Sequence, residues 1–145
     1  MFVVDTNVLI YAANSAAAQH RAANDWLTAA LRGGETVGYP WVSLLGFVRI
    51  VTNPRVMPRP VTVADALAAV QSWIMPPNAV LLEPGPRHLD LLAGLLTGSG
   101  TGGNLTTDAH IAALALDTRG RVVTFDRGFA RFGVEVLIPG TSPAD

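Results

Sequence analysis

The strongest constraint on this chain is a recurring local pattern. Short apolar runs stop at a polar residue and give way to helical periodicity. Phe2-Val3-Val4 stops at Asp5, and Val122-Val123-Thr124-Phe125 stops at Asp126. Residues 36–39, 79–82 and 134–137 are further runs of this kind. Runs so short and continuously apolar suit strands buried on both faces, as in parallel sheets. Helical stretches lie between them. One begins at Thr6. Residues 21–31 place Ala22, Trp26, Ala29 and Ala30 on one face before Gly33-Gly34. Pro40-Trp41 opens a helix through Val51, closed by Asn53-Pro54. Thr62 caps a helix with Asp65 in its first turn, running to Ile74, and residues 86–96 form another. Thr106 or Thr107 caps residues 108–118, with Gly120 just past the end. Strands alternating with helices predict an α/β fold with a mostly parallel central sheet flanked by helices. The length of 145 residues suits one domain, placed at 1–139 with a loose tail at 140–145.

Two absences prune the chemistry. There is no Cys, so thiol nucleophiles, disulfides and cysteine metal sites are excluded. There is no Lys either, which removes Schiff-base chemistry and the P-loop lysine. No stretch reads as a membrane span, and Asp5 stands where a secretory leader would be basic and then apolar. The expectation is a soluble, cytoplasmic protein.

The acids carry the functional signal. Asp5 and Asp126 each follow a strand, and in a parallel sheet the strand ends share one edge, where ligands bind. Asp108, after Asn104-Leu105-Thr106-Thr107, opens a helix that faces the same crevice. Each acid also has a structural reading: Asp5 as a helix cap, Asp108 in a first turn, Asp126 in a polar turn. Taken together, clustered carboxylates that repel one another point to a divalent cation. All-oxygen ligands select Mg²⁺ or Mn²⁺, which suit phosphodiester hydrolysis.

The flanking residues narrow this. Val3-Val4-Asp5-Thr6-Asn7-Val8-Leu9-Ile10 resembles the opening of PIN-domain ribonucleases. Thr107-Asp108-Ala109-His110-Ile111-Ala112-Ala113-Leu114-Ala115 and Val123-Thr124-Phe125-Asp126-Arg127-Gly128-Phe129 are similar to that family's third and fourth acidic motifs. Phe47-Val48-Arg49-Ile50-Val51-Thr52-Asn53-Pro54-Arg55-Val56 is similar to a segment of VapC-type toxins, especially their mycobacterial branch. The resemblance implies a three-layer α/β domain and an Mg²⁺- or Mn²⁺-dependent endoribonuclease. It also implies a cognate antitoxin that blocks the site, and a homodimer. By position, Asp5, Asp108 and Asp126 are implied metal ligands, and Thr6 and Thr124 hydroxyls that orient carboxylates or water, with Asn7 assisting. The chain departs from the family pattern at Gly46, where a glutamate usually stands. Three acids should hold a metal more weakly than four, with substrate phosphate completing the coordination.

Charge distribution fits an RNA substrate. The net charge of −1 conceals +3 over residues 36–64, from Arg49, Arg55 and Arg59, and +3 over residues 119–131. Arg49, Arg55 and Arg127 are the candidate RNA contacts, Arg49 alternatively pairing with a site carboxylate. Gly98-Ser99-Gly100-Thr101-Gly102-Gly103 matches a dinucleotide fingerprint but follows a helix rather than a strand, and so reads as a loop. His20, His88 and His110 lack ligand spacing, and Trp26, Trp41 and Trp73 sit on apolar helical faces. Two other readings compete. One is a catalytically impaired PIN-like module that binds RNA or antitoxin, motivated by Gly46. The other is a phosphoacceptor signalling domain, which the missing lysine and the single acid after the first strand oppose.

Overall fold

The computed structural model describes residues 1–100 and 102–142, so Thr101 of the glycine run and 143–145 of the expected tail lie outside the described residues. The strands are β1 (Phe2–Val4), β2 (Val37–Pro40), β3 (Ala79–Leu82), β4 (Arg121–Val123) and β5 (Val136–Leu137). The helices are α1 (Thr6–Ala13), α2 (His20–Arg32), α3 (Trp41–Val51), α4 (Val63–Ile74), α5 (His88–Ser99) and α6 (Thr106–Thr118). Short 3-10 turns cover Gly103–Leu105 and Arg127–Phe132.

Every strand pairing is parallel, in the spatial order β3-β2-β1-β4-β5. The chain therefore moves outward from β1 through β2 to β3, then crosses back to place β4 on the other side of β1. Parallel crossovers are right-handed, so this reversal puts the helices before and after it on opposite faces of the sheet. The core divides accordingly. Val4, Val37, Tyr39 and Val123 pack with Val8, Leu9, Leu27, Phe47 and Val70 from α1–α4. Val3, Leu82 and Val122 pack with Ile111, Leu114 and Phe129 on the α6 side. Adjacent residues of one strand feed different cores, which is why the strands read as unbroken apolar runs. The direction of winding changes between β1 and β4, and the carboxyl ends of these strands frame a crevice there.

Several predicted boundaries move for physical reasons. Residues 86–96 were predicted as a helix, but α5 begins at His88 and continues to Ser99, where Gly100 (φ 72°) takes the left-handed cap conformation. The helix thus enters the glycine run. Neither Thr106 nor Thr107 caps α6: the 3-10 turn feeds directly into a helix that starts at Thr106, and Leu105 occupies the cap position without a side-chain bond. Arg119 (φ 53°), not Gly120, takes the left-handed position after α6. Gly120 is required for space, since a β-carbon there would lie 2.9 Å from the Met1 carbonyl oxygen. Strand β4 ends at Val123 rather than Phe125, although the Thr124 N–H still donates to the Leu137 carbonyl. The Thr62 cap agrees with its prediction, accepting from the Asp65 N–H at 3.1 Å.

Candidate metal centre at the strand switch point

Asp5 leaves β1 in extended conformation and caps α1. Its Oδ1 accepts from the Thr6 N–H at 2.7 Å, and its Oδ2 accepts from the Thr124 hydroxyl at 2.7 Å. The capping role and the site role coincide in this residue. Thr124 is fully buried just beyond β4, and its hydroxyl also accepts from Asn7 Nδ2 and the Asp126 N–H. Asn7 Oδ1 accepts from the Phe125 N–H at 3.2 Å. One amide side chain from α1 thus ties down both the hydroxyl and the backbone that follow β4, closing the crevice where the winding reverses.

Asp126 caps the next turn, its Oδ1 accepting from the Gly128 N–H at 2.8 Å. Asp108 stands in the first turn of α6, half-buried. The three carboxylates lie within reach of one another's charge. Burial drives the Asp5 carboxyl up to about 6, with the Thr124 and Thr6 hydrogen bonds opposing and the charges of Asp108 and Asp126 adding. Asp108 is raised by burial and then by Asp126, while Arg131 pulls it down. Among the described residues the ion pairs engage Asp25, Glu35, Asp117 and Glu135 rather than these three acids.

Among the described residues, no trio of His, Asp or Glu closes tightly enough on one point to hold an ion as it stands. Asp5 and Asp126 are held by their capping bonds. Each carboxylate oxygen has a second lone pair, so those bonds leave acceptor capacity. A carboxylate driven up chiefly by burial, with two acids adding to it and no ion-pair partner, is chemically suited to a hard divalent cation.

The remaining sequence-predicted residues divide. Thr124 lies within the network as expected. Thr6 contributes its N–H, while its side chain abuts Gly46, whose β-carbon position lies 3.1 Å from Thr6 Oγ1 and Cγ2. Arg49 does not pair with a site carboxylate: it sits on the exposed side of α3, outside the ion pairs among the described residues. That side of α3 also leaves Leu45 exposed, so the helix is apolar on more than its core face. Arg55 and Arg127 are exposed. Three features escaped sequence reasoning. Arg131 acts electrically on Asp108, and its only sequence signal is its place five residues after Asp126. His88 Nε2 and His110 Nδ1 are 2.8 Å apart, joining α5 to α6 despite their distance in sequence. Ser43, one turn before Gly46, has a buried hydroxyl without a partner. A cleft of about 420 Å³ is lined by Trp26, Arg121, Arg127 and Leu137, and none of the three acids is part of its lining.

Fold and site together define a three-layer α/β domain that gathers aspartates at the strand switch point. The PIN domain pattern matches residues 2–135, and this chain belongs to the PIN-domain family. Ribonuclease VapC37 of Mycobacterium tuberculosis is 46% identical over 132 residues, covering 91% of this chain and 92% of that protein. Among solved structures, VapBC2 from Rickettsia felis, bound to a promoter DNA fragment, aligns with TM-score 0.71 at 14% identity over 95% of this chain and 98% of that one. VapC20 of M. tuberculosis, a sarcin–ricin-loop-cleaving toxin, aligns with TM-score 0.70 at 15% identity over 92% and 96%. These two share the fold.

Proposed function

We propose that this chain is a divalent-metal-dependent endoribonuclease toxin restrained by a cognate antitoxin. One observation carries the reading: a buried carboxylate, Asp5, raised to about 6 beside Asp108 and Asp126 at the β1/β4 switch point. Asp5, Asp108 and Asp126 would hold Mg²⁺ or Mn²⁺. Such an ion, when bound, supplies an acidified water and a counter-charge for phosphate. The chain's own residues fix the donors. Thr124 orients Asp5 Oδ2, Asn7 anchors Thr124 and the Phe125 backbone, and the Gly128 N–H holds Asp126 Oδ1. The exposed Arg49, Arg55 and Arg127 suit a polyanionic substrate gripped through its backbone.

The relatives' names support RNA as substrate. VapBC2, solved on promoter DNA, supports operation with a second protein. Exposed Trp41 and Leu45 on α3 provide apolar surface for such a protein or for a second copy in a homodimer. Among the described residues, no helix is long and apolar enough to cross a membrane, and the proposed place of action is the cytoplasm.

The test incubates purified protein with total tRNA and Mg²⁺ or Mn²⁺ beside Asp5→Asn. Discrete cuts, lost in the variant and in chelator, are expected. Tight RNA binding without cuts in any metal would overturn the enzyme reading in favour of the binding module that Gly46 suggests.

A further inference from the structure

Arg131 stands where its positive charge reaches Asp108. It lies in the 3-10 turn that Asp126 caps, and its Nε donates to the Gly128 carbonyl at 2.9 Å. That bond holds the guanidinium against Gly128. A β-carbon on Gly128 would lie 2.9 Å from Asp126 Oδ1 and 3.0 Å from Arg131 Nη2. Carboxylate and guanidinium therefore flank one point on the turn, with Asp108 close enough to feel the cation. Among the described residues Arg131 forms no ion pair at 4.0 Å or less, although Arg21, Arg87 and Arg121 do.

This arrangement has a chemical consequence. A purely structural arginine beside two acids would close on one of them. Here the Nε is tethered and the Nη fork remains available, next to acids suited to a cation. An anionic group that both the cation and the fork can grip completes such a site, and the two non-bridging oxygens of a phosphodiester match a planar guanidinium fork. The other arginines lack this tether. Arg49 and Arg55 are exposed on or just after α3, and Arg127 lines the cleft beside Trp26.

We propose that Arg131 is a catalytic residue whose Nη fork takes the negative charge that develops on the non-bridging oxygens of the scissile phosphate. This rests on the ribonuclease reading above. In hydrolysis the oxygen of water forms a new bond to phosphorus, one ester P–O bond breaks, and the leaving oxygen departs as the alcohol with a proton from that water. No other co-reactant is needed. Charge on the non-bridging oxygens is greatest in the transition state, so the guanidinium acts mainly on kcat. Gly128 is then the residue that leaves room for both groups.

The experiment compares wild type, Arg131→Ala, Arg131→Lys and Asp5→Asn on an end-labelled transcript of whichever tRNA the wild type cuts. Arg131→Ala should lower kcat about 100-fold with KM changed only a few-fold. Its melting temperature should remain within about 2 °C, as for an exposed side chain. Guanidinium chloride at tens of millimolar should restore part of the lost rate, while the same concentration of NaCl should not. Arg131→Lys should fall between, since a single ammonium lacks the fork. A rate for Arg131→Ala within about threefold of wild type overturns the proposal, as does a loss that guanidinium leaves untouched. Wild type that cuts no RNA in either metal refutes the ribonuclease reading instead, and Asp5→Asn shows whether any observed cutting belongs to this site.

Discussion

Replacing Asp5 by Asn should stabilise the metal-free protein at neutral pH while abolishing catalysis. Asp5 is almost fully buried, and its carboxyl is raised from 3.8 to about 6. The native state therefore holds the proton more tightly than the unfolded chain does. Below pH 3.8 both states are protonated and this group imposes no penalty. As pH rises toward and through 6 the unfolded state ionises more readily, and stability is progressively lost. At roughly 1.4 kcal/mol per tenfold change in proton affinity, the loss reaches about 3 kcal/mol above pH 7. Asparagine carries no charge and keeps the acceptor for the Thr6 N–H. Its amide nitrogen, however, faces a Thr124 hydroxyl that already accepts from Asn7 and Asp126, so one donor loses its partner at about 1–1.5 kcal/mol. The net gain at pH 7.5 is about 1–2 kcal/mol. Near pH 4 the sign reverses, because only about 0.5 kcal/mol of the penalty is left while the mismatch remains. Urea unfolding in EDTA at both pH values measures the difference, and adding Mn²⁺ should stabilise wild type but not the variant. An Asp5→Asn protein less stable than wild type by the same margin at both pH values would refute the account of a penalised carboxylate.

Two further substitutions test the neighbouring geometry. Gly46→Glu places a β-carbon 3.1 Å from Thr6 Oγ1 and Cγ2, so Thr6 must yield slightly at about 1 kcal/mol, offset by a similar gain in helix propensity. Mn²⁺ affinity by calorimetry should rise about tenfold, consistent with one more oxygen ligand; an unchanged affinity would mean the α3 position does not reach the cluster. Gly128→Ala should cost about 1 kcal/mol through the weakened Asp126 cap, read as a lower melting temperature, and should reduce RNA cleavage at least tenfold by displacing Asp126 Oδ1 and Arg131 Nη2. Full activity in that variant would show that neither group needs its present place.

Elements set by local chemistry were legible. Strand β3 lies where its apolar run predicts, and Thr62 caps α4 because cap chemistry acts over three residues. Asp5 was legible as the acid that ends β1 for the same reason, whereas Asp126 stands three residues past the end of β4. Distant contacts added what local pattern does not carry. Gly120 falls just past the end of α6 as predicted, and the nearby Met1 carbonyl is a second demand on it. For Arg49 only the alternative of pairing with a site carboxylate fails, because packing alone reveals which side of α3 faces solvent.

The sequence alone determined an α/β chain with aspartates at strand ends, because apolar runs, caps and breakers act over a few residues. The tertiary structure alone decided that β1 and β4 are neighbours, since parallel partners such as Val4 and Val123 are paired across most of the chain. That pairing brings Asp5, Asn7 and Thr124 into one network and sets Asp108 within its field. It likewise set Arg131 beside the cluster, because its tether to Gly128 and its reach to Asp108 exist only in the folded chain.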